Sequence, residues 1–347
     1  MTRQQVILAA VVLAASVAAV ALDVGGSVGT GTFVVAGVAL AGLAWLLGVA
    51  TEQAGATVGP RTSALLNASF GNLPELVIVV LAINAGLEGV ARASIVGSVI
   101  GNVLLILGLS LVLGGWRNGV QTFNERLAAT NSLMLVLAVA GLAIPTLFAQ
   151  GHPGMHSVDL LSRWTAALLA LSYAGYVYYT QTAPGLRYSH KGEGEPWPRR
   201  QAVLVLCLTA VATGIVSEVL VDAIEPVVRA WGVPLTFIGL IVVPFLGNVA
   251  EHLSAVRLAL RNNLDFSMAI AAGSGIQIAL AAPAVAVVAS IALGGELTLV
   301  FPTLELAALG IAALVSTLIA RGGETNWLEG LQLLVIYTVV AVAFWLI

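Results

Sequence analysis

The sequence predicts an all-α integral membrane protein of about eleven transmembrane helices, arranged as two inverted five-helix repeats after one N-terminal helix. Composition, long apolar runs and an internal repeat predict this class. Of the 347 residues, 59% are hydrophobic and only 9% are charged, whereas a soluble domain carries roughly 25% charged residues. A chain surrounded by lipid needs no charged surface, so we expect the lipid bilayer as its environment. The net charge of −3 is too small to indicate a nucleic-acid partner.

Eleven apolar runs are long enough to span a bilayer, which takes about 20 residues per helix. Because the runs are continuous rather than alternating, they favour helices over the short strands of a β-barrel. The first run is longer than the roughly 7–15 residues of a signal-peptide core, so we expect a retained helix. The runs cover residues 5–23, 30–50, 62–86, 91–113, 126–148, 161–181, 200–221, 233–260, 264–292, 296–319 and 327–347.

The basic residues predict the orientation of these helices. With a cytoplasmic N-terminus and an extracytoplasmic C-terminus, 11 of the 14 Lys and Arg residues fall on cytoplasmic positions. The other three, Arg92, Arg163 and Arg229, fall outside. This asymmetry follows the positive-inside rule. Short loops and the absence of a eukaryotic targeting tail favour a prokaryotic plasma membrane.

A polar stretch rich in Pro and Gly divides the chain into two halves. We predict an extra N-terminal helix over residues 1–25 and a first half over 26–181. A cytoplasmic linker over 182–199 follows, and a second half occupies 200–347.

The two halves carry the same motifs at a constant offset of 176 residues. The pattern Gly-Asn-x-x-Glu occupies 71–75 and recurs at 247–251, and Gly-Ser occupies 97–98 and recurs at 273–274. Under the predicted orientation the two copies run antiparallel. Transporters built from such inverted repeats bind substrate near the membrane midplane, where the repeats meet.

The last residue of each longer motif is a glutamate, Glu75 or Glu251, deep inside an apolar run. A charge at the bilayer centre costs about 2.5–3.5 kcal/mol on insertion scales, so such residues indicate function. Two carboxylates that face each other in a site of low dielectric cannot both ionise easily, and they hold protons until a cation arrives. A divalent cation binds the deprotonated forms and releases those protons. The pair therefore predicts an antiporter that carries either protons or one Ca²⁺.

Oxygen-bearing side chains surround the two glutamates in the sequence. Calcium takes 6–8 oxygen ligands from carboxylates, amides, backbone carbonyls and water. Thiolates and paired imidazoles are absent from these motifs, which argues against zinc or copper. Proline and glycine breaks beside each glutamate, at 71–74 and 244–247, are typical of irregular backbone that lines a cavity. The candidate ligands besides the glutamates are Asn72, Asn248, Ser98, Asn102, Ser274 and Gln277.

Four other residues are weaker candidates for a functional role. His252 follows Glu251 and could take part in proton transfer or gating, or only pack between helices. Glu218 and Glu225 lie near the extracytoplasmic end of the seventh helix, where they could attract cations or simply face water. The single cysteine, Cys207, cannot form an intramolecular disulfide and is interpreted as helix filler. No cofactor is expected.

Other functions remain open on these residues. The carrier could exchange Na⁺ for Ca²⁺ or move another divalent cation such as Mn²⁺. A cation channel could use the two glutamates as a selectivity element. An intramembrane enzyme is disfavoured because neither a nucleophile–base set nor a three-ligand metal site accompanies the carboxylates. The partners are predicted to be Ca²⁺ and H⁺, and a homo-oligomer remains open.

These motifs resemble those of the calcium/proton exchangers of the cation/calcium exchanger superfamily. The most specific similarities are Gly247-Asn248-x-Ala250-Glu251-His252 and Gly273-Ser274-x-x-Gln277-Ile278. Further similar segments lie at 59–76, 93–98, 217–226 and 326–330.

The resemblance implies ten core helices in two inverted halves plus one N-terminal helix, with broken helices at both motifs. It implies that Glu75 and Glu251 bind Ca²⁺ and protons alternately while helices 30–50 and 200–221 slide against a fixed core. Gln277 stands where sodium-coupled relatives carry an aspartate, which disfavours Na⁺ as the counter-ion. Gly101 replaces the serine that usually precedes Asn102 in the family.

Overall fold

A computed structural model of the protein describes residues 3–58, 60–152, 155–182 and 197–347. It is helical almost throughout, with one two-stranded antiparallel ribbon, β1 (Gln121–Thr122) and β2 (Glu324–Thr325). Two short π-helical segments, Gly101–Ile106 and Ile238–Val242, interrupt α-helical spans. The helices are α1 (Arg3–Val24), α2 (Thr30–Ala56), α3 (Pro60–Phe70), α4 (Leu73–Asn84), α5 (Glu88–Ile100), α6 (Leu107–Asn118), α7 (Glu125–Gly151), α8 (Met155–Thr182), α9 (Arg199–Asp222), α10 (Ile224–Trp231), α11 (Leu235–Phe237), α12 (Val243–Gly247), α13 (Val249–Leu260), α14 (Leu264–Ala292), α15 (Thr303–Ile319) and α16 (Trp327–Trp345).

The predicted all-α membrane class is confirmed. Seven helices of the described residues are long and apolar enough to cross a membrane, or eight when one bent pair is counted as a single span. Every predicted apolar run overlaps helical residues, but the count of eleven spans and the inverted-repeat layout stay predictions. The predicted linker falls mostly on residues 183–196, and Gly59 is the first residue of a family-like segment. Both lie outside the described residues.

Burial separates central helices from peripheral ones. Nearly every residue of α5 from Val90 onward is buried, as is most of the π-helical segment that follows. By contrast, α1 exposes large apolar side chains such as Val6, Leu13 and Val17. Because lipid is as apolar as these side chains, their exposure costs little within a bilayer. The polar residues that carry the predicted chemistry lie on the central elements.

Two helical spans are broken where the sequence predicted breaks. The first break separates α3 from α4 at Gly71 and Asn72. The second separates α12 from α13 at Asn248, where the axis bends by 61°. Proline occupies the first turn of α4 and of α12. It is tolerated there because the first turn of a helix needs no backbone N–H donor from it.

The predicted helix over 296–319 was wrong in its first part, since residues 295–302 lie outside any helix or strand and α15 begins at Thr303. Every second side chain is buried, at Leu297, Leu299 and Phe301, which is typical of an extended segment. Their backbone N–H groups donate to hydroxyl oxygens of three different helices: Leu297 to Ser290 (2.9 Å), Leu299 to Ser162 (3.0 Å) and Phe301 to Thr146 (2.9 Å). Hydropathy alone does not separate such a buried strand-like segment from a helix.

Glycines let α5 cross the second π-helical segment at very short range. A Cβ atom built at Gly239 would lie 3.1 Å from the Cβ of Ala93 and 3.2 Å from the Cα of Val90. A Cβ atom at Gly97 would overlap the carbonyl oxygen of Leu240. Small residues allow this approach, which supplies the van der Waals contact that holds helices together in lipid.

We expect Gly97→Ala to lower the melting temperature of the detergent-purified protein, because an added methyl group would force two backbones apart. Overpacking of this kind costs about 1–3 kcal/mol. Gly310→Ala on α15 is the matched control, since a Cβ atom there would meet no atom within 4 Å. Equal melting temperatures for Gly97→Ala and the wild type would contradict the close crossing.

Candidate ion-binding site

Both predicted glutamates lie in the first turn of a helix that starts at a break. Asn72 precedes α4 and Asn248 precedes α13, so each asparagine marks the junction between two helical pieces. Glu75 and Glu251 follow three residues later. The first turn of a helix carries unpaired N–H groups and partial positive charge, which favours a carboxylate. Each break therefore creates a local environment in which an acidic side chain is tolerated at membrane depth.

Amide and hydroxyl groups from the two halves of the chain form one hydrogen-bond network. The Nδ2 of Asn72 donates to Oε1 of Gln277 (2.7 Å), and the hydroxyl of Ser274 donates to Oδ1 of Asn72 (2.7 Å). The Nδ2 of Asn102 donates to Oγ of Ser274 (3.1 Å) and, more weakly, to Oδ1 of Asn248 (3.4 Å). These contacts join residues separated by 146 to 205 positions in the sequence.

The network is also tied to the backbone of its own helices. The Nδ2 of Asn102 donates to the carbonyl oxygen of Ser98 (2.9 Å). The Nδ2 of Asn248 donates to the carbonyl oxygen of Pro244 (2.9 Å). Asn102 begins the first π-helical segment, and such segments occur frequently at functional sites. The predicted candidate ligands thus occupy a single cluster.

The two glutamates are brought together at this cluster. Glu75 is 3% exposed and reaches across to the break in the other half, where a Cβ atom at Gly247 would lie 3.0 Å from its Oε1. Glu251 lies within Coulombic range of Glu75 and within hydrogen-bonding reach of Ser274. The sequence identified Gly247 only as a helix breaker. Its missing side chain is also what makes room for the carboxylate of Glu75.

Four buried oxygen atoms of the cluster have no hydrogen-bond donor among the described residues: Oε2 of Glu75, Oε2 of Glu251, Oγ of Ser98 and Oδ1 of Asn102. Buried acceptors without donors are unfavourable unless a cation, a proton or water satisfies them. Gly273 is buried, yet a Cβ atom built on it would meet no atom within 4 Å. There is thus unfilled space beside Ser274, next to a group of unpaired oxygens.

The chemistry of the cluster suits a hard cation. Oxygen ligands of mixed charge, two carboxylates with amides and hydroxyls, are the set that Ca²⁺ prefers. Within the described ranges, no group of three or more His, Cys, Asp or Glu residues could hold a metal ion. A site rich in thiolate or imidazole, as zinc and copper prefer, is not formed by these residues.

The side chains of the other candidates have different surroundings. His252 is buried, but its ring packs against Phe245 with a centroid distance of 5.3 Å. Glu225 is exposed on α10 and forms an ion pair with Arg229 (2.7 Å). Glu218 is exposed on α9, close to Asp222. Cys207 is also exposed on α9.

Comparison with known proteins identifies the family. The family model described as sodium/calcium exchanger protein matches residues 28–181 and 201–346. The chain belongs to the sodium/calcium exchanger protein family. It is therefore an integral membrane transporter rather than an enzyme, and the resemblance drawn from the motifs is confirmed.

Three similar proteins illustrate the relationship. The chain is 36% identical to a Ca²⁺/H⁺ antiporter of Bacillus subtilis over 323 residues, covering 91% of this chain and 92% of the relative. It is 34% identical to a Ca²⁺/H⁺ antiporter of Synechocystis over 337 residues, covering 91% of each. The solved structure of native YfkE matches with a TM-score of 0.86 and 34% identity, covering 99% of this chain and 100% of that one.

We expect Gly247→Ala to weaken ion binding, because the added methyl group would press on the carboxylate of Glu75. Displacement at a cost of about 1–3 kcal/mol corresponds to a loss of affinity of at least about fivefold. The measurement is the Ca²⁺ concentration that gives half-maximal uptake into proteoliposomes. Gly48→Ala is the control, since its Cβ atom would make an ordinary 3.9 Å contact with Ala250. Unchanged half-maximal concentrations in both variants would contradict the proposed position of Glu75.

Proposed function

We propose that this protein exchanges Ca²⁺ for H⁺ across a membrane by alternating access, with Glu75 and Glu251 binding either one Ca²⁺ or protons. The observation that carries the proposal is the meeting of two buried carboxylates from different halves of the chain, each with one unpaired oxygen. The relatives named Ca²⁺/H⁺ antiporters, which are similar over nine-tenths of the chain, support it.

Electrostatics makes the two cargoes mutually exclusive. Two adjacent carboxylates in a water-poor site repel each other when both are ionised, so protons neutralise them in the absence of a metal. One divalent cation neutralises both at once, but its ligands must first lose their protons. Each Ca²⁺ that binds therefore releases protons, and each protonation releases Ca²⁺. This competition couples the two fluxes without a separate proton site.

The amide network holds two of its oxygens in place for Ca²⁺. Oδ1 of Asn72 accepts from Ser274, and Oε1 of Gln277 accepts from Asn72. An amide oxygen has two lone pairs, so each keeps one for a cation while its hydrogen bond persists. In the proposal, Ca²⁺ draws its remaining ligands from Asn72, Asn248, Ser98, Asn102, Ser274 and Gln277, because 6–8 oxygens are needed in all.

The two proposed gating helices, α2 and α9, pack against each other, and α2 also packs beside the second break. A Cβ atom at Gly37 of α2 would lie 2.9 Å from Cδ1 of Leu246, next to that break. Movement of α2 would therefore change the packing around α12 and α13 directly. We propose that α2 and α9 slide against a core of two inverted five-helix halves, in a prokaryotic plasma membrane with the N-terminus in the cytoplasm.

Sodium/calcium exchange is the second candidate, because the family model carries that description. Gln277 argues against it, since a neutral amide occupies the position where the sodium-coupled relatives carry an aspartate. The decisive assay uses proteoliposomes that contain the purified protein. We expect Ca²⁺ uptake to follow an imposed pH gradient and to ignore a sodium gradient. Three results would refute the proposal: Ca²⁺ uptake driven by sodium alone, transport of Mn²⁺ in preference to Ca²⁺, or electrical current without proton movement.

We expect Glu75→Gln and Glu251→Gln each to abolish Ca²⁺/H⁺ exchange, because an amide carries no charge for Ca²⁺ and takes up no proton. Both variants should keep the wild-type melting temperature, since glutamine preserves the shape of the side chain. Glu225→Gln, which alters an exposed surface ion pair, serves as the control and should transport normally. Normal calcium uptake by either site variant would refute the assignment.

We expect Gln277→Asp to change ion selectivity or the pH dependence of exchange. A third carboxylate would add negative charge to the cluster and would also remove Nε2 from the side chain at this position. The measurement is Ca²⁺ uptake at a series of pH values, with and without a sodium gradient. Gln277→Asn, which keeps a neutral amide on a shorter chain, separates the effect of charge from that of length. Identical profiles for the wild type and Gln277→Asp would remove Gln277 from the proposed site.

A further inference from the structure

Several buried hydroxyl groups among the described residues have a hydrogen-bond partner. Ser16 and Ser162 donate to the carbonyl oxygens of Val12 and Val158, four residues earlier, both at 2.8 Å. Thr146 and Ser290 accept from the backbone of the extended segment at 295–302. Bonding back to the preceding turn is the ordinary arrangement for a serine inside a helix.

Helix α5 departs from this arrangement along one side. Ser94, Ser98 and Asn102 follow each other at intervals of four residues, which places them on adjacent turns of one face. They are 1%, 1% and 0% exposed. The Oγ of Ser94, the Oγ of Ser98 and the Oδ1 of Asn102 have no partner among the described residues. Three consecutive buried oxygens without partners indicate internal water, which satisfies such groups in proteins.

There is space for water on the same side of the helix. Gly101 lies three residues after Ser98 and seven after Ser94, so it shares their face. A Cβ atom built at Gly101 would meet no atom within 4 Å. Gly97, three residues after Ser94 and four before Gly101, borders the same face, and a Cβ atom there would overlap the backbone of Leu240. The polar face of α5 is thus closed by the second π-helical segment at Gly97 and has free space at Gly101.

We propose that water molecules run along this face from Ser94 to Ser98 and Asn102, and that they carry protons to and from the ion site. The inference rests on the proposed function, because it assigns a route to one of the two exchanged ions. Ser98 and Asn102 already belong to the site. Ser94, one turn beyond, extends it toward the end of the helix.

The chemistry of this row suits protons rather than calcium. Its side chains are neutral hydroxyls and an amide, and Ser94 has no carboxylate within its row. Calcium would have to replace part of its hydration shell with charged oxygens to pass. A proton needs only a chain of hydrogen bonds: at each hop one O–H bond of a water molecule breaks as another forms, and the last hop ends on a carboxylate oxygen of Glu75 or Glu251. Calcium would then reach the site by a different route.

Among the described residues, buried hydroxyls without a partner also occur at Thr51 of α2, Ser110 of α6, Thr213 and Ser217 of α9, and Ser267 of α14. None of these residues belongs to the ion cluster. The row that begins at Ser94 is distinguished because its next two members, Ser98 and Asn102, are themselves part of the cluster.

The first experiment measures water access directly. Cys207 is replaced by serine because it is exposed and would react itself, and Ser94→Cys or Ile95→Cys is added. Ile95 is 1% exposed, adjacent in sequence, and on a different side of the helix. The probe is methyl methanethiosulfonate, whose attachment is followed by intact mass. Only the thiolate reacts, and a thiolate forms where water is present. We expect Ser94→Cys to react at least about tenfold faster than Ile95→Cys.

The second experiment measures proton-driven transport. Ser94→Val keeps a side chain of similar size but removes the hydroxyl, and we expect it to slow pH-driven Ca²⁺ uptake several-fold without changing the half-maximal Ca²⁺ concentration. Ser16→Val is the matched control, a buried serine on peripheral α1 whose hydroxyl bonds back to its own helix.

The two experiments separate the possible failures. Equal labelling rates at positions 94 and 95 would overturn the water pathway whatever transport shows. Fast labelling at position 94 with wild-type uptake in Ser94→Val would overturn its proton-carrying role. If the wild type showed no proton-coupled uptake at all, the proposed function would fail, while the labelling rates would still decide whether water reaches Ser94.

Discussion

Two carboxylates buried in an apolar helix bundle need a positive partner, and among the described residues neither Glu75 nor Glu251 forms an ion pair. This shortage of charge is the constraint that organises the rest of the molecule. Glu75 and Glu251 lie at helix breaks, where unpaired N–H groups of the following helix supply partial positive charge. The cluster around them contributes neutral amides and hydroxyls rather than Lys or Arg. In the proposed function, a permanent positive partner would neutralise the pair and end the competition between protons and a metal. The cargo supplies the positive charge instead.

The site also depends on how closely the two halves approach. Side chains as short as those of Ser274 and Asn72 can meet across the halves only if the helices that carry them nearly touch. Glycine makes this possible at Gly97 and Gly239, where α5 crosses the second π-helical segment, and at Gly247, where Glu75 crosses to the other break. In lipid, where apolar burial does not drive helices together, close van der Waals packing of this kind carries the association. The residues that hold the fold together are therefore neighbours of those proposed to bind the ion.

Hydroxyl groups serve two purposes in the same bundle, and their partners distinguish them. Ser290, Ser162 and Thr146 hold the extended segment at 295–302 against three helices, so each has a backbone donor. Ser94 and Ser98 have none, although they are equally buried. A satisfied hydroxyl stabilises one arrangement, whereas an unsatisfied one attracts water or an ion. The proposed water row uses two of the unsatisfied hydroxyls, those of Ser94 and Ser98.

Composition, apolar runs and the repeated Gly-Asn-x-x-Glu motif were enough to determine the membrane class, the family and the two helix breaks. These three features follow from local chemistry, because charge is costly in lipid and because proline and glycine interrupt helices. The same motifs also selected the residues that cluster around Glu75 and Glu251. Only the tertiary structure decided which of these side chains form hydrogen bonds with each other, since Asn72 and Gln277 are 205 positions apart and no local rule relates them. It also decided that residues 295–302 are extended rather than helical. Hydropathy could not decide this, because an apolar sequence fits a buried extended segment as well as a helix. Only the tertiary structure showed that the hydroxyl of Ser94 has no hydrogen-bond partner, because such partners come from distant parts of the chain.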